Sequence, residues 1–343
     1  MLNSSDKLRG MKNCVCKLKL MAIFCLFALN ITGCGSASID SYRISNTTKI
    51  TEIKNLHNGD AKFWKDKVIT SVNGILTLIN LDGKIEKTYE KINANWIDGI
   101  AENNILVYGN FENEIGIILF DDHDNIVWND IIMTKGNLQI DPTISFVDGV
   151  YYLTATEVIG NVNNSDVNME NGEYILHLYS SVNLKDWILL SDIVDEYYNI
   201  EDVDIIARNN CIYVTYEKEV IDKGKSAIIL KKSDDHGKSW SNEVELLPAE
   251  ADHEPAVFWE KNGQFILYYS SDILAVGESY MGSRMYYSIY DSDLNILVKD
   301  YPVCTEVKKG ILLYDISKID GEFLVLYSHD YLTTCDLVIE KGN

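Results

Sequence analysis

One repeated unit organises the sequence from residue 40 onward, and it constrains the fold more than any other feature. Each copy opens with an acidic residue, continues into a short apolar strand, turns at Asn, Asp or Gly, and runs into a second apolar strand. A third strand and a polar turn usually follow, which gives four short strands per copy. Such a repeat is the signature of β-propeller blades. The copies open at Asp60, Asp98, Asp141, Asp204, Glu254 and Asp315.

The last copy, which runs through YLTTCDLVIE, lacks a fourth strand, whereas the segment RISNTTKITEI at residues 43–53 precedes the first copy and has a strand-like pattern. We therefore predict an all-β, six-bladed β-propeller over residues 43–343, whose last blade is closed by this N-terminal strand. Closure of this kind leaves no open sheet edge at the join. A five-bladed propeller is the alternative, if the weak copy at Asp98 is misread.

The composition restricts the partners. The chain has 52 acidic and 30 basic residues, a formal net charge of −22. A surface of this charge repels nucleic acid and anionic membranes, so no nucleic-acid partner is expected. A neutral partner such as a carbohydrate, or a cationic one, fits better, and the protein is expected to be a monomer.

The N-terminal residues have the pattern of a targeting segment. A basic lead is followed by an apolar run over residues 20–29, which is too short to span a bilayer as a helix, and then by Ile-Thr-Gly-Cys ending at Cys34. This pattern resembles the bacterial lipobox, in which the cysteine is lipidated. The resemblance implies a signal peptide at 1–33, a lipidated tether at 34–42 and a location in the bacterial cell envelope, with a lipid anchor as the only membrane contact. A plain secretory signal with a chance cysteine is the alternative.

The cysteines after Cys34 give no metal-binding pattern. Cys211, Cys304 and Cys335 are an odd number without metal-ligand spacing. Cys304 and Cys335 could pair, and buried thiols are the alternative. The six histidines show no zinc-type spacing either, so no metal site is predicted from them.

The stretch SDDHGKSW matches the Asp-box pattern S-x-D-x-G-x-x-W, with Ser233, Asp235, Gly237 and Trp240 in register. We predict that it forms the turn between the two outer strands of a blade and that its role is structural. SSVNLKDW at residues 180–187 is a related turn. Both turns resemble those of sialidases and of propeller glycosidases such as family 43.

The six acidic openings are predicted to lie on the innermost strands, which line the channel of a propeller. Crowded carboxylates raise one another's pKa, and glycoside hydrolysis needs one protonated and one ionised carboxyl group. The alternative is that these acids accept hydrogen bonds from backbone amides or solvate the channel. Two of the acids precede proline, in Asp141-Pro142 and Glu254-Pro255, and proline restricts the residue before it.

The stretch DPTISFVDGVYYLTATE, followed by SSVNLKDW, resembles the opening blade of family 43 glycosidases. That resemblance implies Asp141 as the base, Asp204 as the carboxylate that orients and tunes, and Glu254 as the acid. The chain departs from the family because Asp141 lies in the third unit and because the family has five blades.

A second resemblance is to the six-bladed sialidases. HEPAVFWEKNGQFILYYSS resembles the segment with their catalytic Glu, LLYDISKIDGEFLVLYSHD places Tyr314 where their nucleophile lies, and Arg284 matches their last arginine of three. Beyond the tether, the chain has only Arg43, Arg208 and Arg284, and Tyr-Tyr-Ser at 268–270 replaces the middle arginine. The resemblance therefore implies sialidase-like architecture without recognition of sialic acid.

Together these patterns predict a surface lipoprotein that cleaves a glycosidic bond with channel carboxylates and without a cofactor, although a Ca²⁺ ion on the axis is an alternative. A non-catalytic propeller that binds glycans or proteins is the competing interpretation. The predicted substrate-binding residues are Asp60, Asp98, Asp315, Tyr314, Arg284 and His253.

Overall fold

The strands of the chain are grouped in fours, as the repeat predicts. The computed structural model describes residues 43–44, 46–56, 58–102, 104–134, 136–159, 173–208, 210–220, 224–273, 282–303, 310–319, 321–329 and 335–342, with backbone only at 58, 98 and 220. Within these ranges, 24 strands form six antiparallel sheets of four. No helix among the described residues is long and apolar enough to cross a membrane.

The first three blades follow the chain in order. Blade 1 contains β2 (Asn58–Trp64), β3 (Lys67–Val72), β4 (Ile75–Asn80) and β5 (Ile85–Asn93). Blade 2 contains β6 (Trp96–Ala101), β7 (Ile105–Asn110), β8 (Glu114–Phe120) and β9 (Ile126–Thr134). Blade 3 contains β10 (Leu138–Val147), β11 (Val150–Ile159), β12 (Glu173–Ser181) and β13 (Ile188–Glu196).

The remaining blades continue the pattern until the ring closes. Blade 4 contains β14 (Asn199–Arg208), β15 (Cys211–Val220), β16 (Lys225–Ser233) and β17 (Val244–Leu247). Blade 5 contains β18 (His253–Lys261), β19 (Gln264–Ser271), β20 (Arg284–Tyr290) and β21 (Ile296–Pro302). Blade 6 contains β22 (Leu312–Ile319), β23 (Glu322–His329), β24 (Asp336–Gly342) and β1 (Thr47–Ile53).

The predicted closure by the N-terminal strand is confirmed. Strand β1 pairs antiparallel with β24, from Thr47 opposite Gly342 to Ile53 opposite Leu337. Side chains from blades 6 and 1, among them Leu326 and Ile79, pack into one apolar cluster across the join. The six-bladed, all-β prediction is therefore confirmed, and the five-bladed alternative is wrong.

The core lies between neighbouring blades. Apolar clusters join blade 1 to blade 2, blade 2 to blade 3, blade 3 to blade 4 and blade 4 to blade 5. Strand β7 is buried along its whole length, whereas the outer strand β9 is half-buried to exposed. This gradient agrees with the two sequences, since ILVYGN of β7 has no charged residue, whereas β9 contains Asp130.

Every innermost strand has an irregularity near its acidic opening. The register to the second strand shifts between Asn58 and Ala61 in β2, and the other five innermost strands shift at the corresponding place. A β-bulge leaves a residue unpaired and re-aims its neighbours. In β10 and β14 the bulge begins at Asp141 and Asp202, which both have left-handed φ angles, of 48° and 49°. Aspartate is among the residues that tolerate this conformation.

The Asp-box prediction is confirmed: the turn joins β16 to β17 and is held by its own side chains. Asp235 Oδ1 accepts hydrogen bonds from the backbone N–H groups of Lys238 and Ser239, at 3.1 and 2.9 Å. Gly237 has a φ of 82°, and a Cβ there would lie 2.1 Å from Leu178 of blade 3. Only glycine therefore allows the turn to pack against the preceding blade.

A second outer turn is bound to the preceding blade by hydrogen bonds to a buried aspartate. Asp124, which is 4% exposed, lies in the turn between β8 and β9 of blade 2. Its carboxylate accepts hydrogen bonds from Trp64 Nε1 (2.9 Å), Lys65 Nζ (3.0 Å) and Lys67 Nζ (2.8 Å) of blade 1. Burial raises the pKa of Asp124, but the hydrogen bonds from Lys67, Trp64 and Lys65 outweigh it and lower the pKa to about 2.

This network predicts an acid-sensitive contribution to stability. Asp124→Asn should lower the free energy of unfolding at pH 7 by about 1–3 kcal/mol, because it leaves buried donors poorly paired. The folded pKa lies below the unfolded value of about 3.9, so the stabilisation is present above pH ~4 and is lost as the pH falls towards 2. Urea unfolding at pH 7 and pH 3 measures both effects. Asp122→Asn, at an exposed position of the same turn, is the matched control, and an equal loss in both variants would contradict the prediction.

Candidate active site

The innermost strands of all six blades surround a central cavity of about 550 Å³. The prediction that these strands line the channel is therefore confirmed. The walls are formed mainly by residues 62–63, 100–102, 143–146, 202–205, 255–259 and 315–317.

Four of the predicted channel acids bind the backbone of a neighbouring blade. In each case one carboxylate oxygen accepts an N–H from the innermost strand of the next blade around the ring. The bonds are Asp60 Oδ2 to Ile97 N (3.1 Å), Asp141 Oδ2 to Asp202 N (2.9 Å), Asp204 Oδ2 to Phe258 N (2.9 Å) and Asp315 Oδ2 to Phe63 N (2.8 Å). The alternative interpretation, that these acids accept hydrogen bonds from backbone amides, therefore holds for one carboxylate oxygen of each of the four aspartates. The roles of these aspartates in substrate binding and catalysis stay predictions.

Two other predicted site residues lie in apolar surroundings. Tyr314 is the bulge residue of β22, and its side chain packs into the cluster between blades 6 and 1. His253 is 1% exposed, its Nε2 lies 3.2 Å from Pro248 O, and burial lowers its pKa. His253 therefore packs at the junction of blades 4 and 5 as a neutral imidazole.

The remaining predicted residues are dispersed. Arg284 is half-buried at the start of β20, while Arg208 lies at the opposite end of β14 from Asp202 and contacts Glu260. Arg208 lies six residues beyond Asp202 along β14, a distance of about 20 Å. The side chain of Asp98 and the whole of Cys34 and Cys304 lie outside the described residues, so those predictions stand untested.

The structure brings together three carboxyl groups at the blade 4–blade 5 boundary. One carboxylate oxygen from each of Asp202, Glu217 and Glu254 lies within 4.8 Å of the others. Asp202 is the first bulge residue of β14. Glu217 on β15 lies opposite Glu201 of β14, and Glu254 is the second residue of β18, next to Pro255. Asp202 also lines the central cavity, so this carboxylate cluster meets the cavity at Asp202.

Two glutamates at this boundary, Glu217 in the cluster and Glu201 opposite it on β14, have raised pKa values. Burial, followed by the charges of Glu254 and Asp202, raises the pKa of Glu217 well above its ordinary value. Burial and the charge of Glu254 raise the pKa of Glu201 to about 8, against a hydrogen bond from Asn199 that lowers it. Asp60, on blade 1, also contributes to the shift at Glu201. A site that pairs protonated and ionised carboxyl groups is the arrangement that general acid catalysis requires.

Lys62 is the one basic side chain among the described residues that line the cavity. Lys62 of blade 1 lines the cavity and donates hydrogen bonds to the carbonyl oxygens of Ala256 and Tyr314, each at 3.2 Å. Ala256 and Tyr314 are the bulge residues of β18 and β22. Lys62 therefore satisfies carbonyls at two bulges and links blade 1 to blades 5 and 6.

The carboxyl group beside Glu254 is Asp202, whereas the sequence comparison selected Asp204. Asp202 matches Asp141 in its place at the start of a bulge and in its φ angle. The carboxylate of Asp204 instead accepts N–H groups from Phe258 and Ile205. Counting back from the end of the innermost strand would have identified Asp202 as the equivalent of Asp141. Asp141 lies seven residues before Asp148, and Asp202 lies seven residues before Asn209.

Sequence reasoning also missed Glu201 and Glu217. Glu217 is 6% exposed and follows the apolar run CIYVTY in the second strand of its blade. The corresponding positions of blades 3 and 5 are Thr156 and Ser270, so the repeat itself gives no warning of an acid there. The signal available in the sequence was a charged residue in a strand whose neighbouring residues are apolar and therefore expected to be buried.

Comparisons with known proteins agree with the fold. The sequence matches no protein-family model and has no significant match among curated proteins. Similar solved structures include an α-L-arabinofuranosidase from Lactobacillus brevis, with a TM-score of 0.51 and 13% identity over 72% of this chain and 89% of that chain. A thermostable family-43 glycoside hydrolase has a TM-score of 0.49 and 16% identity over 72% and 87% of the two chains. The native arabinanase of Bacillus subtilis has a TM-score of 0.46 and 14% identity over 73% and 95%.

The chain is thus a six-bladed β-propeller whose fold is distantly similar to that of an α-L-arabinofuranosidase. At these identities the similarity concerns the fold. The site must be argued from its own residues, because one fold hosts many functions.

The raised pKa of Glu201 predicts how stability depends on pH. Because the folded pKa, about 8, exceeds the unfolded value of about 4.3, the stabilisation from this proton is complete below pH ~4 and is lost as the pH rises through 8. Glu201→Gln, which mimics the protonated acid, should therefore gain stability relative to the wild type on going from pH 5 to pH 8.5, on the order of 1 kcal/mol or more.

Urea unfolding at the two pH values measures this gain. Glu245→Gln, an exposed position on β17, is the control for loss of a surface charge and should show no comparable gain. If the difference between Glu201→Gln and the wild type is the same at both pH values, Glu201 does not bind a proton in the folded state.

Proposed function

We propose that the protein is a glycoside hydrolase whose acid, Glu254, lies in the carboxylate cluster and whose base is Asp141 of blade 3. The observation that supports the proposal is the close approach of Asp202, Glu217 and Glu254, within 4.8 Å, beside the central cavity. Burial and the charges of Glu254 and Asp202 raise the pKa of Glu217, and glycosidic cleavage needs a carboxylic acid that is protonated near neutral pH.

In the proposed reaction, Glu254 protonates the leaving glycosidic oxygen as the bond from that oxygen to the anomeric carbon breaks. Water forms the new bond to the anomeric carbon and gives its proton to a carboxylate base. Asp202 lies too close to Glu254 to leave room for that water, because carboxyl groups that accommodate a water are about 6.5–9.5 Å apart. Asp202 and Glu217 therefore tune the acid, and Asp141 keeps the predicted role of base.

Asp141 has the contacts expected of an oriented base. It is 3% exposed, and its Oδ2 accepts the N–H of Asp202 at 2.9 Å. Its left-handed φ and the following Pro142 restrict the backbone that carries the carboxylate. This hydrogen bond links the base to the residue that tunes the acid.

The lipoprotein features belong to the same proposal. Lipidation of Cys34 would attach residues 43–343 to the bacterial envelope as a monomer that acts on an extracellular carbohydrate. The net charge of −22 favours a neutral glycan over an acidic one.

The proposal predicts activity that depends on Glu254. A soluble form lacking residues 1–34 should hydrolyse at least one member of a panel of aryl arabinosides, xylosides and galactosides and leave an aryl sialoside intact. Glu254→Gln should lower kcat by about 100-fold or more, because an amide cannot donate the proton. Glu245→Gln is the matched control and should retain full activity.

No turnover on the panel, together with glycan binding in calorimetry, would instead support the non-catalytic binding protein. The engagement of four channel aspartates with backbone amides is the observation that favours that candidate.

The two neighbouring aspartates of blade 4 provide a sharper test of the site. Asp202→Asn removes a negative charge that raises the pKa of Glu217, so that pKa should fall and the basic limb of the pH–kcat profile should move to lower pH. Asp204→Asn should leave the profile in place and lower the free energy of unfolding, since Asp204 accepts the Phe258 N–H. The reverse pattern would show that the tuning carboxylate is Asp204.

A further inference from the structure

A second set of metal-binding side chains lies on the outer strands of blade 6, apart from the carboxylate cluster. Glu52 on β1, His329 on β23 and Asp336 on β24 each place one ligand atom within 4.8 Å of the other two. These strands are adjacent in one sheet, and His329 lies opposite Asp336 in the β23–β24 register. The set therefore forms where the N-terminal strand closes the ring.

The surrounding contacts hold two of these side chains in place. Asp336 is 7% exposed, and its Oδ1 accepts the backbone N–H of Asn55 at 2.7 Å. Glu52 Oε2 contacts Lys49 Nζ at 2.5 Å. A hydrogen bond to a ligating carboxylate from outside the site is a common feature of protein metal centres, since it orients the ligand.

The charges of the set call for a cation. Two carboxylates that approach each other, one of them buried, repel unless a positive charge lies between them. Lys49 contacts Glu52, and a metal ion bound by the three ligand atoms would place a positive charge beside Asp336 as well.

The types of ligand atom in the set favour some metal ions over others. One imidazole nitrogen and two carboxylate oxygens suit Zn²⁺ and related transition metals, whereas Ca²⁺ prefers oxygen ligands alone. Ligands that share a Zn²⁺ at 2.0–2.2 Å are about 3–4 Å apart, so contraction by about 1 Å converts the observed arrangement into a site. A solvent molecule would complete four-coordination.

We propose that Glu52, His329 and Asp336 form a binding site for Zn²⁺ or a similar divalent transition metal, which fixes β1 to β23 and β24. The ion binds the closed ring and not the unfolded chain, so it stabilises the propeller in proportion to its concentration. This site is independent of the proposed hydrolase activity.

The test is titration of ZnCl₂ into EDTA-treated, dialysed protein at pH 7, followed by calorimetry, thermal unfolding and hydrogen exchange of the β1 amides. We expect one site whose occupation raises the Tm and slows exchange in β1. CaCl₂ at the same concentration should do neither. His329→Ala should weaken Zn²⁺ binding at least tenfold.

Three further variants keep the result interpretable. His123→Ala, at an exposed histidine of a polar turn, controls for surface zinc and should bind as the wild type does. Glu254→Gln should also retain the site, because it alters only the carboxylate cluster. If His329→Ala fails to fold, Glu52→Gln on the edge strand β1 provides the same test.

Two results would overturn the proposal. One is the absence of Zn²⁺ binding to the wild type. The other is binding that survives both His329→Ala and Glu52→Gln.

Discussion

The ring depends on hydrogen bonds that run from the backbone of one blade to an acidic side chain of the blade before it. The bulge in each innermost strand takes backbone groups out of the sheet ladder, and a buried N–H without a partner is costly. Asp60 and Asp141 accept such N–H groups at the bulges of the next blades, while Asp204 and Asp315 accept N–H groups further along the neighbouring strands. Lys62 donates hydrogen bonds to the carbonyl oxygens at two other bulges.

These acidic side chains also concentrate negative charge around the propeller axis, where the proposed catalytic carboxyl groups lie. Where an N–H or Lys62 is close, the charge is compensated. At the blade 4–blade 5 boundary Asp202, Glu217 and Glu254 lie close together, and burial and neighbouring charges raise the pKa values of Glu201 and Glu217. A fold that needs acids at the bulges thus requires only a few additional carboxyl groups, such as Glu217 in the second strand, to create a proton-retaining site next to a cavity.

The sequence predicted the features that repeat and missed those that occur once. The repeat predicted the number of blades, the closure by residues 43–53 and the Asp-box turn, because every blade packs against its neighbours in the same way. The acids at the blade openings were also predictable, but their double role as backbone acceptors was not, since it depends on the bulges. Glu217 occupies a position filled by Thr156 and Ser270 in other blades, and Asp124 reaches into the preceding blade, so both contacts follow only from the three-dimensional arrangement.

Infrared spectroscopy of the carboxyl groups can measure whether Glu201 and Glu217 retain a proton at neutral pH. Protein labelled with ¹³C at the glutamate carboxyl carbon is titrated from pH 4 to pH 9, and the band of protonated glutamate is followed. We expect that part of this band persists at pH 7, weakens around pH 8 as Glu201 ionises, and is diminished in Glu217→Gln and Glu201→Gln but not in Glu245→Gln. Complete loss of the band by pH ~6, as for ordinary glutamates with a pKa of about 4.3, would contradict it.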